Sequence, residues 1–253
     1  VSAAHEGREG PVVVVGLGGL GAPVAMALAR SRVPWLRIVD GDRVERSNLH
    51  RQVLFGEADL GTPKAAALAR ALEAQGFAGR LELVERFLVP EEALEVCAGA
   101  SLLLEGVDNL PTKFLVADVA AKLGVPVVHA AALRWEGTVL ACAPGGACYR
   151  CLFEDLPRGV EAPNCAGEGV AGPLVGAVGA WAADRLLALR EGALAASELT
   201  RFEGWGGAVR RSVLARRPGC ELCDGERSSF QLERARYVGP STACVIQPNH
   251  SNR

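Results

Sequence analysis

Apolar residues gather in short continuous runs along the first half of the chain. The runs are VVVV at 12–15, WLRIV at 35–39, LELV at 81–84, LLL at 102–104 and VPVV at 125–128. Runs this short, set off by turn-forming and charged residues, are the mark of buried strands. Between them, segments at about 20–32, 64–76, 90–98 and 110–123 are rich in Ala and Leu and carry helical patterns. Strands alternating with helices of this length predict an α/β fold with a doubly wound, Rossmann-like, mainly parallel sheet. Ligands of such sheets sit outside the carboxyl ends of the strands.

The pattern changes after about residue 132. WEGTVLACAP reads as a strand, and EDLPRGVEAPNCAGEGVAGP (154–173) as a crossing loop rich in Gly, Pro and charge. LVGAVGAWAADRLLALREG follows a helical pattern with small residues suited to close packing. LTRFEGWGGAVRRSVLARR reads as two strands around a GWGG turn. The expected sheet is therefore extended by C-terminal antiparallel strands. Residues 225–253 are polar and poorly patterned, and are expected to form a poorly ordered tail.

Charge narrows the classes of function. A formal net charge of −2 over 253 residues leaves no basic excess to neutralise phosphates, which argues against nucleic-acid binding as the main task. No apolar run approaches the roughly 20 residues a membrane span needs, and no signal peptide is recognisable. A cytoplasmic location, with no membrane partner, is the expectation.

GLGGLG (16–21) meets the G-x-G-x-x-G template through Gly16, Gly18 and Gly21. Such a turn lets backbone N–H groups approach a phosphate at a helix N-terminus. Asp40 closes the second strand at the spacing of a carboxylate that hydrogen-bonds a ribose hydroxyl. These features fit NAD and ATP equally. The next stretch, DGDRVERSNLHRQVLFGEADLGTPK (40–64), adds Asn48, Arg51, Gln52 and Lys64. An NAD site has no need of that cluster, whereas chemistry at phosphorus does, because charge builds on the phosphate oxygens. An Arg fork and a Lys point charge can stabilise it. The plainer alternative is a solvated loop and a surface lysine. LLLEGVDN then delivers Asp108 and Asn109 to the same sheet edge. Asp108 suits Mg²⁺, or the N-cap of the helix starting near Leu110.

Eight cysteines are present, four of them in the pairs CYRC (Cys148, Cys151) and CELC (Cys220, Cys223). Two C-x-x-C pairs point to one tetrahedral Zn²⁺, structural because no position is left for water; redox disulfides are the alternative. Cys97 and Cys142 read as core packing. His129, closing the fifth strand, reads as a packed polar residue rather than an acid or base.

The order of glycine loop, DGD…SNLHRQ, G-x-x-K, VDN and paired cysteines resembles the ThiF/MoeB/HesA family of ubiquitin-activating-like adenylyltransferases over about residues 11–224. The resemblance implies an ATP-dependent enzyme that adenylylates the C-terminal glycine of a ubiquitin-like sulfur-carrier protein ending in Gly-Gly, releasing pyrophosphate. It implies that Gly19 and its neighbours back the phosphates, with Asp40, and Asp42 beside it, at the nucleotide. Asn48, Arg51 and Lys64 would hold the triphosphate, beside Gln52, and Asp108 would hold Mg²⁺ next to Asn109. Cys165, in the crossing loop, would handle sulfur covalently or else be a bystander. A separate cysteine desulfurase or rhodanese would supply the sulfur, and the enzyme would be a homodimer. Residues 1–224 would form one adenylating domain, stapled at its end by zinc. The sequence departs from the family at His50, at Val107 and at Lys113, where many members have Arg. The R-Y-x-R-Q pattern is not among the ten residues before Pro11. An NAD(P)-dependent oxidoreductase and a non-catalytic scaffold subunit are the competing readings.

Overall fold

The computed structural model describes residues 9–156, 169–224 and 231–237. Cys165 and most of the stretch expected as a tail lie outside the described residues, as do residues 1–8.

One eight-stranded sheet organises the chain, with strand order β3-β2-β1-β4-β5-β6-β7-β8. The strands are β1 (Val12–Val15), β2 (Trp35–Val39), β3 (Arg80–Val84), β4 (Leu102–Glu105), β5 (Val127–Leu133), β6 (Glu136–Cys142), β7 (Glu198–Glu203) and β8 (Ala208–Val213). β1 to β5 are parallel, and β5 to β8 pair antiparallel. This is the expected doubly wound sheet with an antiparallel extension. The helices are α1 (Gly21–Arg30), α2 (Lys64–Ala74), α3 (Ala93–Val96), α4 (Leu110–Leu123), α5 (Tyr149–Phe153) and α6 (Gly172–Arg190).

Two apolar layers hold the sheet. One face packs on α1, α2 and α6 through Val12, Val14, Leu36, Ile38, Leu104, Val128 and Val139. The other packs on α3, α4 and α5 through Val13, Val15, Val39, Leu103, Val127 and Leu140. Burial of alternate residues on opposite faces explains why the strands read as unbroken apolar runs rather than as alternation. Strand order reverses between β1 and β4, so the turns that follow these two strands lie side by side at the carboxyl edge.

Two elements differ from the sequence pattern. β5 reaches Leu133 rather than ending at 128, because the HAAAL stretch, weak in strand propensity, is held by antiparallel pairing along the whole of β6. The helix expected over 90–98 shrinks to Ala93–Val96, bounded by Pro90 before it and by Gly99, at φ +69°, after it. Within the expected tail, residues 231–237 pack on the domain, and Tyr237 is buried against the α4 layer.

Candidate nucleotide site and metal centre

The glycine turn is shaped by close approach. Gly16 has φ +84°, and a Cβ there would stand 2.7 Å from Val107 Cγ1 and 3.0 Å from Val107 N. At Gly19 a Cβ would stand 2.7 Å from the Arg51 carbonyl oxygen. A side chain at either position would push the turn away from the Asp108 loop or from the 48–52 segment. α1 starts directly after this turn, and its N-cap, Leu20, offers no side-chain hydrogen bond. Ala22 N–H already donates to the Gly18 carbonyl oxygen and Val24 N–H to the Leu20 carbonyl oxygen, and Pro23 has no N–H. An anion here would therefore meet the N–H groups of the glycine turn itself rather than those of the first helical turn.

Asp40 ends the second strand with both carboxylate oxygens engaged. Leu17 N–H donates to Oδ2 at 2.6 Å and Asp42 N–H to Oδ1 at 2.8 Å. Burial raises the Asp40 pKa above the ordinary carboxylate value, against the opposing pull of Lys64 and these two N–H groups. Lys64 opens α2, is nearly buried, and its Nζ donates to Asp42 Oδ2 at 2.8 Å. The surface-lysine alternative is thereby excluded. Arg51 Nη2 donates to Asn48 Oδ1 at 2.6 Å. Gln52 is buried, its Nε2 lies 3.4 Å from where a Cβ on Gly18 would stand, and its Oε1 has no hydrogen-bond partner among the described residues. An unpaired buried amide oxygen beside the glycine turn is what a polar ligand would satisfy. The residues present therefore fit a nucleotide.

Asp108 is exposed and has no hydrogen bond or ion pair among the described residues. The N-cap of α4 is instead Asn109, whose Oδ1 accepts Thr112 N–H at 2.9 Å. That division of labour removes the capping alternative for Asp108 and leaves its carboxylate free for a cation.

The four paired cysteines converge. Sγ–Sγ distances are 3.5 Å for Cys148–Cys220, 3.5 Å for Cys151–Cys223 and 3.8 Å for Cys148–Cys151. All four sulfurs lie within 4.8 Å of one another. A tetrahedron with Zn–S of 2.3 Å has edges of about 3.8 Å, whereas a disulfide needs about 2.05 Å. The donor set fits zinc. Arg217 N–H donates to Cys151 Sγ at 3.4 Å and would steady a thiolate ligand. Cys97 and Cys142 are core residues as expected, and burial pushes the Cys97 thiol up to about 12.

Two buried ionic groupings were not legible as such. Glu105, Lys113 and His129 form one, beneath the Asp108 turn. Asp118, Arg150 and Tyr237 form the other, beside the cysteines: Arg150 Nε and Nη2 each donate to the Asp118 carboxylate at 2.8 Å, and Tyr237 Oη donates to Asp118 Oδ2 at 2.8 Å. The signal for the first was a charged residue closing the apolar run LLLE; for the second it was an arginine inside C-x-x-C.

Fold and site together define a doubly wound α/β protein whose glycine turn is flanked by Lys64 and Arg51 and whose four paired cysteines cluster. The ThiF family model matches residues 6–222, and the chain belongs to the ThiF family. It is 38% identical over 237 residues to the SAMP-activating enzyme E1 of Haloferax volcanii, covering 93% of this chain and 86% of that protein. It is 37% identical over 233 residues to the sulfur carrier protein adenylyltransferase of Thermus thermophilus, covering 89% and 86%. Among solved structures, E. coli MccB with ATP superimposes with a TM-score of 0.73 at 20% identity, over 86% of this chain and 68% of that one. Membership of this family sets aside the oxidoreductase reading.

Proposed function

We propose that this chain is an ATP-dependent adenylyltransferase acting on the C-terminal glycine of a ubiquitin-like sulfur-carrier protein. The observation that carries the reading is the set of polar groups around the glycine turn. Among the described residues, Lys64 and Arg51 are each held by one side-chain partner, Gln52 keeps a buried oxygen unpaired, and Asp108 is free at the adjacent strand end. The relatives' names, an activating enzyme and a sulfur carrier protein adenylyltransferase, support the same chemistry.

In this reading ATP supplies an electrophilic α-phosphorus and a pyrophosphate leaving group. The carrier's carboxylate is ionised at neutral pH, so no general base is needed. Catalysis is then positioning plus charge stabilisation. Gly18, Gly19 and Gly21 back the phosphates with N–H groups, Gly16, whose own N–H donates to the Val39 carbonyl oxygen, gives the turn its close approach, and Asp40 faces the ribose. Lys64, oriented by Asp42, and Arg51, oriented by Asn48, neutralise the charge that builds on the phosphate oxygens. Asp108, next to Asn109, would hold Mg²⁺, which would supply charge neutralisation for the leaving pyrophosphate.

Cys148, Cys151, Cys220 and Cys223 would hold a structural zinc. The adenylating unit is 1–224, with 231–237 strapped onto it. The exposed small residues of α6, Gly176, Ala177 and Ala180, suit packing against a second copy in a homodimer. Sulfur would come from a separate cysteine desulfurase or rhodanese, with Cys165 as the covalent sulfur handler. No helix among the described residues is long and apolar enough to cross a membrane; the proposed enzyme is placed in the cytoplasm, where its cysteines stay reduced.

ATP–pyrophosphate exchange against a panel of carrier proteins ending in Gly-Gly tests the reading. Carrier-dependent exchange is expected, and its absence with every carrier would refute it.

A further inference from the structure

Glu105 is the last residue of β4 and is fully buried. Directly across the sheet, its registered neighbour on β5 is His129, which is also buried. Both face α4, and from the first turn of that helix Lys113 reaches down between them. Lys113 Nζ donates to Glu105 Oε1 at 2.9 Å, to Glu105 Oε2 at 3.0 Å and to the Ala130 carbonyl oxygen at 2.9 Å. All three ammonium protons have acceptors. His129 Nδ1 lies 3.1 Å from Glu105 Oε2, and the imidazole sits 4.6 Å, centroid to centroid, from the Tyr149 ring. His129 Nε2 is buried with no partner among the described residues. The proton therefore belongs on Nδ1, leaving only a lone pair at Nε2, because a stranded N–H would cost more.

Burying a carboxylate and an ammonium at the end of an apolar strand is expensive, and well-packed apolar residues would stabilise the sheet as well. The group earns its place by a fourth contact: Glu105 Oε1 also accepts Val107 N–H at 2.6 Å. Val107 immediately precedes Asp108, and its N and Cγ1 are the atoms packed against Gly16. Gly106 N–H in turn donates to the Val15 carbonyl oxygen at 2.9 Å. On the far side, Asn109 is fixed by capping α4. The Asp108 turn is thus pinned on both flanks while Asp108 itself stays exposed.

We propose that Glu105, with Lys113 and His129, is a positioning residue for the phosphate chemistry, acting through Val107 to fix the Asp108 turn against the glycine turn. The proposal rests on the function proposed above. Glu105 touches neither nucleotide nor metal. Its carboxylate sets where the Val107 N–H stands, and so where Asp108 would be presented to a cation. Burial drives His129 to stay neutral, against the pull of Glu105, so the trio carries one negative and one positive charge and balances.

The test compares the full-length parent with Glu105→Gln and with the charge-preserving pair Glu105→Asp/Lys113→Arg, in which one side chain shortens and the other lengthens. Glu105→Gln is expected to lower the kcat of ATP–pyrophosphate exchange at least a hundredfold. The KM for ATP should change less than threefold, and the Mg²⁺ concentration giving half-maximal rate should rise. The pair is expected to recover kcat to within tenfold of the parent. Without any ligand, amide hydrogen exchange at Val107 should quicken at least tenfold in Glu105→Gln, while Val12–Val15 keep their protection. A folded Glu105→Gln variant with parental kcat and parental Val107 exchange would overturn the proposal. So would loss of protection spread evenly over the sheet, which marks a purely structural role. If Glu105→Gln does not fold, the paired variant decides: kcat more than a hundredfold below the parent in a folded protein overturns the claim, and recovery supports it. If the parent shows no exchange with any carrier, the functional reading fails, and the amide contrast still decides the positioning claim.

Discussion

Polar groups at the glycine-turn edge and the polar groups around the buried Asp118 are treated in opposite ways. At the edge, Asp108 has no described partner, Gln52 keeps a buried oxygen unpaired, and the buried Lys64 ammonium has a single side-chain acceptor, Asp42. Beside the cysteines, the Asp118 carboxylate accepts two N–H groups from Arg150 and the hydroxyl of Tyr237. The third face of the guanidinium meets the Glu154 carbonyl oxygen at 3.0 Å and Asp155 Oδ1 at 3.2 Å. One helix, α4, spans both regions. At the glycine-turn edge the unpaired acceptors are open to a ligand; around Asp118 the paired groups hold the chain.

Breaking the held region should cost stability and spare chemistry. The largest effect is expected from the metal centre. Substituting Cys148→Ser and Cys151→Ser should remove about one equivalent of zinc and lower the melting temperature steeply, since structural zinc contributes directly to folding. Elemental analysis together with calorimetry reads this. Equal stability and no zinc in the reduced, chelator-free parent would count against it.

Next in size, Arg150→Met leaves the fully buried Asp118 carboxylate without its guanidinium. A destabilisation of about 3–5 kcal/mol is expected from the uncompensated charge. Tyr237→Phe removes one hydrogen bond from the same carboxylate and should cost about 1 kcal/mol. Urea unfolding of the two variants measures the ratio.

The smallest effect sharpens the comparison from the other side. His129 is buried with its pKa below the ordinary histidine value of 6.5, because burial disfavours the imidazolium more than Glu105 favours it. Lys113 and Asp118, both on α4, also act on it, and the Tyr149 ring covers it. A depressed folded pKa means that the unfolded chain binds the proton first. Stability from this group is therefore complete above pH 6.5 and is lost as pH falls below it. His129→Gln should flatten that part of the stability profile by at most about 1.4 kcal/mol per pH unit. Glu105 is also held below its ordinary value of 4.5: burial pushes it up, but Lys113 and His129 together outweigh that. Its loss of stability starts lower, so the two contributions separate along the pH axis.

Much of this contrast was legible in the sequence, and the illegible part has a common cause. Local signals carried the parallel strands, the glycine turn, the polar set from Asp40 to Lys64 and the cysteine pairs, because each depends on residues near one another in the chain. The extension of β5 through Ala130–Leu133 was not legible, since only pairing with β6 makes those alanines a strand. Lys113 looked like a departure from the family's arginine, and His129 looked like packing. That they share one carboxylate depends on register between β4 and β5 and on the first turn of α4. Tyr237 was lost in an apparently unpatterned tail because its partner, Asp118, is 119 residues away in the chain.

The central claim is that the unpaired groups at the carboxyl edge exist for phosphate chemistry, and Asp108 tests it most directly. Carrier-dependent ATP–pyrophosphate exchange should be measured for the parent and for Asp108→Ala, with melting temperatures taken in parallel. Because Asp108 has no described partner, the variant should melt within about a degree of the parent, as surface changes of under about 0.5 kcal/mol do. Its exchange rate should fall at least about a thousandfold, as loss of several kcal/mol of metal-assisted charge stabilisation requires. Exchange at the parental rate by a folded Asp108→Ala protein would contradict the account.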